Sequence, residues 1–255
     1  MTGAASLPSS SESSPTIRSP KVSELLARQI VEQIIGQDLP EGTALLPERA
    51  MMEKYGLGRS TVREALRLLE TRGVIGIRQG IQGGPVVRTP RPSDLSESMS
   101  LVLAFNGTTL ADLVTARYSL EPVCVRLAAD SIRAEDIAEL RDTVAKMKAN
   151  INDQAEFRRQ SERFHAVVVR AAANPVLLTL LMSIRGISDS MTERIDYTLR
   201  RRNVIMRAHT RIIDALESHD IDEATAQMSS HLDEARRFWK KSYGALYTQA
   251  VTWRV

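Results

Sequence analysis

The chain has 255 residues, 43% apolar and 25% charged, with a net charge of +3. That length suits about two globular domains, and so small a net charge does not by itself argue for nucleic acid. Its single cysteine, Cys124, excludes an internal disulfide and fits a reducing cytoplasm. The apolar runs, such as residues 176–182, are too short to span a bilayer, and the N-terminus lacks the apolar core of a secretory signal.

Residues 1–20 are rich in Ser, Pro and Thr and poor in large apolar groups, so they are predicted to be a disordered tail. A helix is expected over 22–35, marked by Leu25, Ile30 and Ile34. Residues 47–87 then read as helix, tight turn, helix and a two-stranded wing. Pro47 suits a first helical turn; Gly56 and Gly58 bracket the turn; Val62, Ala65, Leu66 and Leu69 share one face of the second helix. Arg59, Arg63 and Arg67 share another face at i, i+4 and i+8. Val74, Ile75 and Ile77 form one strand, and Pro85, Val86 and Val87 its partner across a glycine-rich tip. A helix buried on one side and edged with arginine on the other suits the major groove, where arginine bridges guanine O6 and N7. The plainer alternative is a solvated charged face. Residues 45–91 carry nine Lys/Arg against four Asp/Glu, so the basic excess lies with this motif.

The winged domain is therefore placed at 21–88, a proline-bearing linker at 89–93, and a second domain at 94–247. Helices are predicted near 94–105, 109–132, 134–150, 153–173, 175–195, 202–218 and 221–247, broken at Gly107, Asn174 with Pro175, and His219 with Asp220. No strand pattern competes. The expected fold is mainly α: an N-terminal winged helix-turn-helix and a C-terminal antiparallel helical bundle. Cys124 sits among apolar residues as a buried structural thiol. His165, His209 and His231 each lie with an apolar stripe of a different helix, whereas His219 falls in a turn and is expected at the surface. Three inward imidazoles can hold a divalent ion, zinc or nickel, with positions left open for a ligand. They can equally be three separately satisfied core histidines.

The runs LLPER at 45–49, GLGRSTVREAL at 56–66 and RQG at 78–80 resemble the DNA-binding domain of the GntR family of bacterial transcription regulators. The resemblance implies DNA contacts from Arg49, Arg59 and Arg63, an approach of Ser60 and Thr61 to phosphate or bases, and Gly80 at the wing tip in the minor groove. Arg67, one turn on, is expected at phosphate. Two departures stand out: the proline of LLPER is one place late, and Gly58 replaces the usual Ser or Thr cap. Further on, ARYSLEPVCVRLAA, RFHAVVVRAAANPVL, RAHTRIIDALESHD and QMSSHLDEA resemble the FadR-like (FCD) subfamily, whose C-terminal bundle holds an effector pocket. The resemblance favours metal on the three histidines, but the acidic fourth ligand expected four residues before the first is Ser161 here. Glu162, rotated by about 100°, is expected to face elsewhere. Arg117 is implied to meet an effector carboxylate, with an ion pair to Glu121 as its alternative.

The expected function is a ligand-responsive regulator, a repressor by preference, that binds a palindromic double-stranded DNA operator as a cytoplasmic homodimer. Its effector would be a small carboxylate or an acyl-CoA. The alternative from another class is a metal-dependent enzyme built on the three histidines, against which no general-base motif stands beside them.

Overall fold

A computed structural model describes residues 21–80, 83–193 and 195–253, and the expected tail at 1–20 lies outside them. The chain divides into two compact units, one ending at Pro90 and the other beginning at Arg91.

In the first unit α1 (Val22–Gly36), α2 (Glu48–Tyr55) and α3 (Arg59–Thr71) precede β1 (Ile75–Arg78) and β2 (Gly84–Val87). Leu26, Ala27 and Ile30 of α1, Met51 of α2, and Val62, Ala65, Leu66 and Leu69 of α3 close one core with Ile75. The i, i+3, i+4, i+7 spacing on α3 is what delivers its four residues to that core together. Pro47 is the residue before α2, in extended conformation, so it caps the helix and does not sit within its first turn. Gly56 ends α2 at φ +63°, a conformation costly for a residue with a Cβ. The strands pair antiparallel with Ile75 opposite Val87 and Ile77 opposite Pro85. Residues 42–45 extend this sheet: Val87 N–H donates to Thr43 O at 2.8 Å and Leu45 N–H to Pro85 O at 2.9 Å. That third segment explains how a proline is tolerated in β2, since Pro85 needs only to accept.

The second unit is a helical bundle: α4 (Pro92–Phe105), α5 (Leu110–Ser131), α6 (Ala134–Ala149), α7 (Gln154–Ala171), α8 (Pro175–Thr192), α9 (Leu199–Glu217), α10 (Ile221–Ser242) and the short α11 (Gly244–Tyr247). Caps fix most of the boundaries. Thr109 and Asp112 form a reciprocal box at α5, and Asn174 accepts from Val176 and Leu177 N–H at the head of α8. The helix expected from 202 starts earlier because Thr198 caps it, accepting from Arg201 N–H. The helix expected over 221–247 breaks at Tyr243 into α10 and α11. After α11, Val251 N–H donates to Thr108 O at 2.8 Å and the Val251 side chain is buried with Leu110, Leu113 and Ile187. The main core brings together α5, α6, α7, α9 and α10 around Phe164, Ile212 and Leu216. No helix among the described residues is long and apolar enough to cross a membrane.

Candidate DNA-reading face and buried histidine centre

The second helix of the turn motif, α3, buries one face and leaves Arg59, Ser60, Arg63 and Arg67 exposed, with Thr61 half-buried. Arg59 Nε donates to Glu48 at 2.8 Å and Arg49 Nε to Glu53 at 3.2 Å, both at the surface, so these pairs are easily exchanged for phosphate. Arg63 and Arg67 make no ion pair among the described residues. Gly58 caps α3 with no side-chain bond, as its composition requires. At the wing tip Gly83 N–H closes onto Gly80 O at 2.8 Å, with Gly80 at φ +111°. A Cβ on Gly83 would lie 2.3 Å from Arg78 O, so this turn needs glycine.

In the second unit His165 of α7, His209 of α9 and His231 of α10 are all buried, and one ring nitrogen of each lies within 4.8 Å of the others. Their helix stripes carry them there: Val168, Ile212 and Met228 on the same faces enter the main core. His165 Nδ1 donates to Glu121 Oε2 at 2.6 Å, which turns its Nε2 toward His231 Nε2, 3.4 Å away. His209 stacks on Phe164 with ring centroids 3.8 Å apart, and neither of its ring nitrogens has a hydrogen-bond partner among the described residues. Burial pushes all three imidazoles below their ordinary pKa, helped at His209 by His231 and His165, and at His231 by His165. Burial thus disfavours the protonated form of each ring. A wholly imidazole donor set, with a carboxylate orienting one ring and lone pairs otherwise wasted, fits a divalent transition metal.

A cavity of about 90 Å³ is lined by two of the histidines, His165 and His231, together with Arg117, Arg158, Arg185 and Arg201. Ser161, one turn before His165, reaches it as expected. Glu162 reaches it too, which corrects the expectation that it faces elsewhere; its longer side chain swings back along the edge of the helix, 3.7 Å from Arg158. Burial and Asp189 push the Glu162 carboxyl upward. Arg117 lines the cavity while its Nε donates to Glu121 Oε1 at 2.6 Å, so a place at the cavity and the ion pair meet in one side chain. Burial works to protonate Glu121, but Arg117, His165 and Arg185 around it prevail and hold it well below the usual carboxylate range. His219 is exposed, as expected, and its Nδ1 donates to Ala129 O. Cys124 is fully buried, and burial pushes its thiol up to about 11, consistent with an inert structural role.

Two residues of this centre escaped the sequence reading. Glu121 entered it only as a partner for Arg117, and Arg185 did not enter it at all. Arg185 did leave a signal: in residues 175–192 it is the first charge after ten uncharged positions, on the face of buried Leu181 and Ser188.

Known proteins match both units. The bacterial regulatory proteins of the gntR family match residues 23–82, and the FCD domain matches residues 112–234. The HTH-type transcriptional repressor NanR of Escherichia coli K12 is 28% identical over 227 residues, covering 86% of this chain and 84% of that protein. NanR of Enterobacter sp. 638 is likewise 28% identical over 227 residues, covering 86% and 85%. Among solved structures, a Streptococcus agalactiae GntR aligns at a TM-score of 0.65 and 25% identity, covering 84% of this chain and 99% of its own. These relatives are regulators, and the metal-dependent enzyme finds no support among them.

Proposed function

Since the chain belongs to the gntR family of bacterial regulatory proteins and carries an FCD domain, and is therefore a transcription regulator, we propose that it is a cytoplasmic repressor released from a palindromic operator by a small acid. The N-terminal unit reads DNA through α3 and the wing. Arg59 and Arg63 reach base edges, Arg49, Ser60, Thr61 and Arg67 anchor to the backbone, and Gly80 brings the wing into the minor groove. One recognition helix covers too few base pairs to specify a genomic address, so two chains act as a homodimer on related half-sites. The repressor sense is taken from the relatives' description.

The helical unit senses the effector. The observation that carries this part is His209: it is fully buried, and among the described residues neither of its ring nitrogens has a hydrogen-bond partner. Leaving such groups buried and unpaired costs stability unless something binds them. His165, His209 and His231 would hold a divalent ion, which when bound supplies a Lewis acid with positions open to an acid's oxygens. Glu121 fixes the His165 tautomer and keeps its Nε2 lone pair directed inward. Ser161 in place of a carboxylate leaves the site less negative than an acidic fourth ligand would, so the ion is held more weakly. An effector moves the dimer off DNA only by binding the two states unequally.

A gel shift with the genomic operator, with and without candidate acids, tests this reading, alongside elemental analysis of protein purified without a histidine tag. Acid-dependent release and a stoichiometric metal are expected. Operator binding indifferent to every acid, in protein free of metal, would remove the sensing half of the proposal.

A further inference from the structure

Past residue 234, where the FCD match ends, α10 runs on to Ser242 and is followed by α11 and an extended strap over 248–253. Neither the DNA-reading face nor the histidine centre uses this segment. Two backbone bonds fasten the strap alongside the head of α5: Leu110 N–H donates to Gln249 O at 3.1 Å, and Val251 N–H to Thr108 O at 2.8 Å. Between these bonds Thr109 and Ala250 face each other as an antiparallel pair. Val251, 3% exposed, enters a cluster with Leu110, Leu113 and Ile187, bordered by Met99 and Leu103 of α4 and by Trp239 and Leu246. Thr252 lies with Ser96 and Ser100 of α4 and Ser190 of α8 around a recess of about 170 Å³. The strap thus crosses the place where α4, α5 and α8 meet.

The start of the same segment meets the wall of the cavity beside His165 and His231. Tyr243 Oη donates to Asp196 O at 3.3 Å, in the connection between α8 and α9. The Phe238 ring lies next to those of Tyr197 and Tyr243, at centroid distances of 5.9 and 5.8 Å. Tyr197 and Trp239 both line the cavity. One short segment therefore touches the cavity wall and the first helix after the linker. Its hold is slight. α11 has four residues, too few to persist alone, and the strap is fastened by two backbone bonds and one deeply buried side chain. Segments of this kind open well before a core does. Finishing the packing accounts for Val251, but not for the bond from Tyr243 to the cavity-side connection.

We propose that residues 243–253 are a releasable latch. Seated, they hold α4 on the bundle in the state that binds operator; a change at the wall formed by Tyr197 and Trp239 unseats them and frees α4. That an occupant of the cavity supplies this change rests on the reading of the cavity as the effector site. By linkage, whatever favours the unseated strap weakens operator binding, and operator favours the seated strap by the same factor.

The test uses the full-length chain with W253F, which leaves Trp239 as the sole tryptophan. It is compared alone, with V251D, and with T109C/A250C. Thr109 and Ala250 are the non-hydrogen-bonded kind of antiparallel pair, with Cα atoms about 4.5 Å apart, a span that a disulfide fits. Cys124 is fully buried and out of the way, and the reduced form of the double variant controls for the lost Thr109 cap. Hydrogen exchange of the strap and α4, acrylamide quenching of Trp239 and gel shifts on operator are read with zinc alone and with zinc plus acetate, lactate, succinate or citrate. In V251D, exchange in α4 is expected to rise about tenfold or more while α6 and α7 stay protected, Trp239 to become more quenchable, and operator affinity to fall about tenfold, within the usual range of such couplings. The oxidised cysteine pair is expected to keep α4 protected and to bind operator regardless of any acid that releases W253F, with the response returning on reduction. A strap that exchanges freely in V251D while α4 and operator binding are unchanged would overturn the latch. Where V251D does not fold, the cysteine pair decides: equal α4 exchange and equal operator binding in its two redox forms has the same meaning. Acid release undiminished in the oxidised form would also overturn the latch and leave the cavity reading standing. If the variants behave as expected but none of the four acids moves W253F off operator, the latch stands and the cavity reading fails for these acids.

Discussion

Asp136 is almost fully covered and stays ionised. Burial works to raise its pKa, but hydrogen bonds from Arg133 and Arg170 outweigh burial, so the net shift is downward. Its unfolded counterpart titrates near 4. A depressed carboxylate contributes stability that is fully present above that value and is lost as pH falls through the lower folded pKa. Asp136→Asn is expected to cost roughly 1–3 kcal/mol at neutral pH and to flatten the loss of stability below about pH 4, read by urea unfolding on tryptophan fluorescence. At the histidine centre, His209→Ala is expected to abolish zinc binding and Ser161→Asp to tighten it, as measured by calorimetry with zinc. Unchanged affinity in both variants would return the three histidines to the core. The histidines were legible because each shares a stripe with its apolar neighbours, and a stripe is a local property. The 2.6 Å bond from His165 to Glu121, 44 positions away, was not, since nothing local to either residue encodes it.

Helix α3 carries the same contrast at the scale of one element. Its two faces could be drawn from spacing alone, and the structure buries Val62, Ala65, Leu66 and Leu69 while exposing the arginines. What spacing does not give is the surface pair of Arg59 with Glu48, from the preceding helix. Arg59→Ala and Arg63→Ala are each expected to cost roughly 1–3 kcal/mol of operator affinity and to relax base preference, whereas Arg67→Ala weakens specific and random DNA alike. Gel shifts on operator and scrambled duplexes separate these outcomes. The cap offers a further check. Gly58 has extended geometry and open space where a Cβ would stand. Gly58→Ser is therefore expected to stabilise the first unit by a few tenths of a kcal/mol, visible as a higher midpoint in thermal unfolding. Boundaries set by caps, such as Thr109 and Asn174, were readable; the break at Tyr243 had no cap residue to announce it.

For the whole molecule, the expected solution state is a dimer of about twice the 28.3 kDa chain mass. Light scattering at micromolar concentration, with and without operator, checks this, and a monomer in both would sink it. The two-unit division was legible because charge, proline content and periodicity all change near residue 90. Within the helical unit, α8 lies between the cavity and α4. It presents Arg185 and Asp189 to the cavity, and with another side it grips α4: Ser183 Oγ donates to Pro92 O at 2.9 Å, Ser96 Oγ donates to Ser183 O at 3.0 Å, and a Cβ on Gly186 would meet Ser96 Oγ at 3.0 Å. A helix is stiff over four residues, so on the proposed reading α8 acts as a rocker, with one edge on the cavity where the effector would sit and the other on the first turn of α4. Close contact of this kind transmits displacement because there is no slack to absorb it. Widening the seam with Gly186→Val would leave a sensor that still fills but no longer speaks: acid affinity near wild type, and operator affinity that ignores it.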